Sequence, residues 1–362
     1  MKLRFWGVAG LVCLAISTRV EAIDWDKVTF NGYTSLEIER QLEPKGEGRG
    51  DPHTSFDAKE FDIVLNIQAT DSIRATANII WEHGPATEDG RGNIALEYGF
   101  VEYSYSDLFR FRAGKMLTPF GVFNEIHTAK IAFLSVQEPL SLNKPDRIVK
   151  SAFRFYPRYG SGLSFLGDGM IGSKRWEYVV FIANGDQIVS KDDPNNPYEL
   201  DDNNSKSVTA RIRLEPTESF RVGGSYYRDS YSAKNKRYRS LAASGLEFEF
   251  NRGGLQVLAE AAFASRENID RSKTREATWY IQPAFHFENG VTPYVRYDWV
   301  DPDRDKSSDQ GHDLIVGVNY EFQPGFMVRI ENNWFKGQKN TDLASYPGGD
   351  YNEIKASIVL GW

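Results

Sequence analysis

From Lys27 to Trp362 the chain is built of segments of about ten residues in which apolar and polar side chains alternate with a period of two. Val28, Phe30, Leu36 and Ile38 share one face, and Thr29, Asn31, Ser35 and Glu37 the other. The same beat sets Phe61, Ile63, Leu65 and Ile67 against Asp62, Asn66 and Gln68. It sets Val208, Ala210, Ile212 and Leu214 against Thr209, Arg211 and Arg213, and Ile354, Ala356, Ile358 and Leu360 against Lys355 and Ser357. A one-residue slip would turn every such segment inside out, so the pattern dictates strands with one wet and one dry face. No amphipathic helix of four turns competes with it.

The connections carry a second signal. Long ones near 40–55, 83–93, 117–150, 184–205, 229–239, 266–275, 300–310 and 337–350 alternate with short ones near Asp71, Asp107, Gly167–Ser173, Pro216, Gly253–Gly254, Asn289–Gly290 and Pro324–Gly325. The short set is rich in the residues that tight turns require. Eight long and seven short connections imply about sixteen strands with both ends of the sheet on the short-turn side, the layout of an antiparallel transmembrane barrel. Trp81, Tyr103, Trp176, Tyr227, Trp279, Trp299, Trp334 and Trp362 fall near the ends of apolar faces, where interfacial girdles belong. A mean hydropathy of −0.48 is too polar for a helical membrane protein but fits a barrel whose lumen is wet. With a net charge of −7, nothing in the composition suggests a nucleic-acid partner, and none is expected.

Residues 1–22 read as a signal segment, with Lys2 and Arg4, the apolar run Gly7–Ile16 and the small-residue pattern Val20-Glu21-Ala22. The barrel is expected over 23–362. Cys13 is the only cysteine, so the exported part would hold no disulfide and no thiolate metal site. No cofactor is expected. Asp301-Pro302-Asp303-Arg304-Asp305 starts like a calcium loop but lacks the sixth-position glycine, and reads as a solvated loop. His53, His83, His127, His286 and His312 lack ligand spacing, and no nucleophile motif marks an enzyme.

The segment Leu117–Lys150 is the longest without strand pattern, yet it is rich in apolar residues. A loop of this length inside a compact domain is usually functional. It follows Phe109-Arg110-Phe111-Arg112-Ala113-Gly114-Lys115-Met116-Leu117-Thr118-Pro119-Phe120-Gly121, which resembles the strand-then-Pro-Phe-Gly signature of the phosphate-selective porin family and related Gram-negative porins. Ile354–Trp362 is similar to the terminal strand that the barrel-assembly machinery recognises, with Trp362 in place of the commoner Phe. The resemblance implies a sixteen-stranded outer-membrane porin, a homotrimer in outer-membrane lipid, with the loop folded into the channel; Gly114, Pro119, Phe120 and Gly121 carry the family motif. Phosphate selectivity in that family rests on a lysine cluster and an arginine ladder. Here Lys130, Lys144, Arg147 and Lys150 interleave in the loop with Glu125, Glu138 and Asp146.

If the apolar faces meet lipid, Arg74, Arg110, Arg112, Arg211, Arg213 and Arg221 line the pore from the first half to the middle of the chain. Glu247, Glu249, Glu260, Glu276, Asp298, Asp313 and Glu321 line it from the later part. Basic and acidic arcs would then face each other across the water and filter solutes by charge. The expected function is a passive diffusion channel for small hydrophilic solutes, with the arginines favouring anions. The alternative is a structural or partner-binding barrel with no open channel.

Overall fold

The computed structural model describes residues 25–42, 54–82, 93–126, 130–149, 151–185, 204–231, 238–337 and 351–362. The signal segment 1–22, Lys150, His53, His83 and His127 lie outside the described residues. Sixteen strands form one antiparallel sheet: β1 (Val28–Gln41), β2 (Thr54–Thr70), β3 (Ile73–Glu82), β4 (Asn93–Ser106), β5 (Phe109–Leu117), β6 (Tyr159–Ile171), β7 (Lys174–Asn184) and β8 (Lys206–Thr217), followed by β9 (Phe220–Ser230), β10 (Tyr238–Arg252), β11 (Leu255–Asn268), β12 (Lys273–Phe285), β13 (Val291–Asp301), β14 (Gly311–Gln323), β15 (Phe326–Gly337) and β16 (Tyr351–Gly361). Each strand pairs with its sequence neighbours, and β1 pairs with β16, so the sheet closes on itself. Closure removes every unpaired sheet edge, which is the condition for a sheet to cross hydrocarbon. The fold is a sixteen-stranded transmembrane β-barrel.

The alternation sorts the two faces as the sequence pattern requires. Phe30 and Ile212 are 55% and 51% exposed on the outer surface, whereas Asn78 and Asp313 on the inner wall are fully buried. The outer surface carries apolar side chains on nearly every strand and is the lipid-facing belt. At the seam, Gly32 and Trp362 exchange backbone hydrogen bonds of 3.0 and 3.1 Å. The Trp362 ring covers Gly32, where any Cβ would meet it at 2.7 Å, and leans on Phe61 with ring centroids 5.5 Å apart.

Three sequence expectations shift. Tyr227 is no girdle residue: it is fully buried on the inner face of β9, and its hydroxyl donates to Asp229 at 3.1 Å. Pro216 lies inside β8, and the turn falls at Glu218–Ser219. The long loop runs over 118–158 rather than ending at Lys150, because Phe155 and Tyr156 are packed into the interior instead of continuing a strand. The loop holds two short helices, α1 (Phe123–Ile126) and α2 (Leu140–Asn143), and two single turns, Lys130–Ala132 and Pro145–Arg147.

Because Val316 points outward from the middle of β14, Val316→Arg is expected to destabilise the barrel in bilayers by about 2–4 kcal/mol, the cost of a lipid-facing cation near the midplane. Urea titration of the reconstituted protein checks this, with the inward Asn319→Arg as the comparison, expected to cost less.

Candidate functional site

The Pro119-Phe120-Gly121 motif is where the chain leaves the wall. Thr118 N–H donates to the Arg158 carbonyl at 2.8 Å, so the loop's entry and exit continue the β5–β6 ladder by one rung. Asn124 ties this neck by donating its side-chain amide to the carbonyls of Thr118 and Arg158, at 2.7 and 2.8 Å. Pro119 is buried in this neck. Phe120 is buried and stacks on Tyr156 with centroids 4.4 Å apart, amid inner-wall residues of β9 to β12 that include Tyr227, Leu241, Ala262 and Tyr280. Gly121 turns the chain with φ 65°, and a Cβ there would lie 1.8 Å from a Glu260 carboxylate oxygen. Only glycine satisfies both conditions. Its N–H donates to Ser225 Oγ at 3.1 Å, and its carbonyl accepts from Arg211 and Arg213 at 3.0 and 3.1 Å. Gly114 (φ 143°) has the same origin on the wall: a Cβ would lie 2.3 Å from the Gly99 carbonyl.

Beyond the motif the loop is fastened by a repeated device on every second strand. On β11, Glu260 accepts the N–H groups of Val122 and Phe123 at 3.0 and 2.8 Å, and the Tyr280 hydroxyl at 2.6 Å. On β13, Asp298 accepts Ser141 N–H and Oγ–H at 3.2 and 2.6 Å. On β15, Glu331 accepts the N–H groups of Val136 and Gln137 at 2.9 and 2.7 Å, and the Tyr294 hydroxyl at 2.7 Å. Each of these strands adds an arginine that donates to loop carbonyls: Arg266 to Arg154, Arg296 to Gln137 and Glu138, and Arg329 to Ser135. A segment with little regular structure leaves many backbone groups unpaired, and the wall supplies charged partners for them. Glu260 and Asp298 were expected on the pore wall. They are covered by the loop instead, because the loop lies against the inner faces of β8 to β15 and, through Lys130–Ala132, against β16 and β1.

The loop's other face carries Glu125, Glu138, Lys144 and Arg158. Glu125 bonds Arg211 at 2.7 Å and Arg213 at 3.2 Å. Burial raises the Glu125 carboxyl, but Arg211 and Arg213, helped by Arg112, more than reverse this and hold it below the ordinary carboxylate range. Glu138 is shared by Lys144 at 2.5 Å and Arg158 at 3.2 Å. Burial, assisted by Arg158 and by Lys59 of β2, outweighs Glu138 and lowers the Lys144 ammonium below its usual value of 10.5. Lys59 of β2 and Arg112 of β5 are thus the wall cations that act on this face of the loop.

The arginines of the expected arc do not stand apart from acids. Arg74 and Arg112 share the buried Glu102, at 2.8 and 2.5 Å. Arg211 and Arg213 hold Glu125 and also reach Glu177, and Arg213 bonds Glu247. Arg110 pairs with Asp168 at 2.6 Å beside the Asp107 turn, and Arg221 with Glu249 and Glu215 at 3.3 and 3.4 Å beside the Glu218 turn. Cross-strand register produces this mixing: it places Glu102 opposite both Arg74 and Arg112, and Glu177 opposite Arg213. Asp146 and Arg147 are exposed, with no ion pair among the described residues, and Lys130 opens the turn Lys130–Ala132. Asn124, Arg158, Ser225, Glu331 and Arg296 escaped sequence reasoning. The inward phase of Ser225, Glu331 and Arg296 was readable, but their contact with a distant loop was not, and Asn124 and Arg158 lie in the loop itself.

No protein-family model matches the chain. A protein of Aquifex aeolicus of unstated function is 30% identical over 79 residues, which is 21% of this chain and 18% of that one, so the chain matches under a fifth of its relative's length. Among solved structures, the anion-selective porin of Comamonas acidovorans covers 92% of this chain and 99% of its own at TM-score 0.66 and 9% identity. Salmonella typhi OmpF covers 92% and 97% at TM-score 0.66 and 9% identity. The trimer form of Vibrio cholerae OmpT, an outer membrane protein, covers 92% and 99% at TM-score 0.57 and 12% identity. The chain thus has the barrel fold of outer-membrane porins.

Glu260→Gln leaves one acceptor oxygen where two loop N–H groups and a tyrosine hydroxyl now bond. Loop anchoring is expected to weaken by about 1.5–3 kcal/mol. Faster proteolytic cleavage within 118–158 and noisier open-channel current check this, while the barrel keeps its heat-modifiable migration.

Proposed function

We propose that this protein is an outer-membrane porin: a water-filled channel through which small hydrophilic solutes diffuse, narrowed by the 118–158 loop and mildly selective for anions. A closed barrel of sixteen strands is too wide for its own side chains to fill, so it encloses either a channel or a plug. The loop is attached along the wall from β8 round to β16 and β1, which supports a channel on the β2–β5 side. It leaves the Lys59, Arg74 and Arg112 wall opposite the loop's charged face.

The anion preference rests on one observation. In two clusters, one on the β3–β5 wall and one on the loop, a single carboxylate is shared by two cations: Glu102 by Arg74 and Arg112, and Glu138 by Lys144 and Arg158. Each cluster therefore has a surplus positive charge. Arg74 is 42% exposed at its side chain while Glu102 behind it is 3% exposed, so the cations meet the solute and the anion does not. This differs from an arginine ladder without acids and fits a weak, general preference more than a dedicated phosphate site. A homotrimer in outer-membrane lipid, a signal peptide over 1–22 and a Trp362 assembly signal complete the proposal. The resemblance of the sequence and the trimeric Vibrio neighbour support them.

Three measurements in planar bilayers test the reading. Removing the loop between Thr118 and Arg158 should raise single-channel conductance; equal conductance would place the constriction elsewhere. Arg74→Ala with Arg112→Ala should lower the chloride-to-potassium permeability ratio, leaving Glu102 uncompensated. The ratio should also fall on alkaline titration, beginning below the free-lysine value of 10.5, because Lys144 loses its proton early. Lys144→Met should remove that step.

A further inference from the structure

Beneath the loop, on the short-turn side, lies a cavity of about 390 Å³. Its ceiling is the loop itself, through Val122 and Ile126, and Leu258 of β11 adds a further apolar wall. Its rim is charged. Four carboxylates, Glu125, Glu215, Glu218 and Glu249, meet two guanidiniums, Arg213 and Arg221. Both guanidiniums are already engaged: Arg213 by Glu125, Glu177 and Glu247, and Arg221 by Glu215 and Glu249. Glu218, exposed in the β8–β9 turn, has no ion pair among the described residues. The cavity thus joins an apolar ledge to an excess of negative charge, the reverse of the balance in the Glu102 and Glu138 clusters.

We propose that this vestibule binds amphipathic organic cations, an ammonium group on a compact apolar body, and that an occupant blocks the channel from the short-turn side. The volume lies in the range of small-molecule sites, and an apolar lining with a few charged groups is their usual make-up. The apolar body would sit against Ile126 and Leu258, with the ammonium among Glu218, Glu215 and Glu249. Because the ceiling is the constriction loop, an occupant would obstruct the passage. A solute entering from the other side must first pass the Lys144–Glu138–Arg158 cluster beside the loop's neck, which repels it. The block is therefore sided.

The blocking step rests on the channel reading; binding does not. The probe is benzylammonium, with benzyl alcohol and benzoate as neutral and anionic counterparts. In bilayers, benzylammonium added on the short-turn side should interrupt the current at lower concentration than from the loop side, and neither counterpart should do so. Removing the unpaired carboxylate by Glu218→Gln should raise the half-blocking concentration by roughly two- to fivefold, the worth of one partly exposed ionic contact. Ile126→Ser should weaken block without changing its dependence on charge. Equal block from both sides, equal potency of benzyl alcohol, or a half-blocking concentration indifferent to both substitutions would overturn the proposal. If the reconstituted protein carries no current, the porin reading fails. Ligand-detected NMR of benzylammonium against the detergent-solubilised full chain then decides the site alone: saturation transfer reduced by Glu218→Gln supports it, and none refutes it.

Discussion

The structure depends on one constraint: in hydrocarbon no backbone amide can be left without a partner. A sheet meets it only by joining its first strand to its last, as β1 and β16 do. Closure then forces the rest. One face of every strand meets lipid and must be apolar; the other meets water or packed polar groups. A polar composition and a membrane-spanning fold are compatible because only half of each strand touches the membrane. The Gly32–Trp362 contact is a local case of the same demand, since the seam pairs fully only where the backbones approach without a side chain between them.

A barrel of this girth creates a second problem, since sixteen strands enclose more space than their inward side chains fill. A long segment crosses that space, and its short helices leave most of its own amides and carbonyls unpaired. The inner wall answers with charge. Glu260, Asp298 and Glu331 take amide or hydroxyl protons, while Arg266, Arg296 and Arg329 give protons to carbonyls. An ion buried alone costs several kcal/mol, but an ion that bonds two or three backbone groups recovers much of this and fixes direction as well. Their recurrence on β11, β13 and β15 spreads the attachment along the loop.

Charge along the passage follows from which groups these anchors consume. At the gap, paired cations share single carboxylates and leave positive charge facing water. Below it, carboxylates outnumber guanidiniums that are already bonded. On the proposed reading, a solute in the channel would meet both kinds of cluster. The net charge of the whole chain, −7, says nothing about this arrangement.

Tyr227 apart, sequence alone determined which strand side chains face in and which face out, the strand number, the parity of the connections and the identity of the unusual loop. These depend on the period of two and on turn residues, both local properties. It also marked Pro119-Phe120-Gly121, although the reason for Gly121, a positive φ pressed against Glu260, became visible only in three dimensions. Tertiary structure alone decided where the loop ends, that Tyr227 points inward, and which inward acids meet water. Inward phase shows that Glu260, Asp298 and Glu102 leave the lipid; it does not show what fills the interior beside them. That is set by contacts between residues more than a hundred positions apart, such as Phe123 with Glu260 or Ser141 with Asp298, and no periodicity in the chain records them.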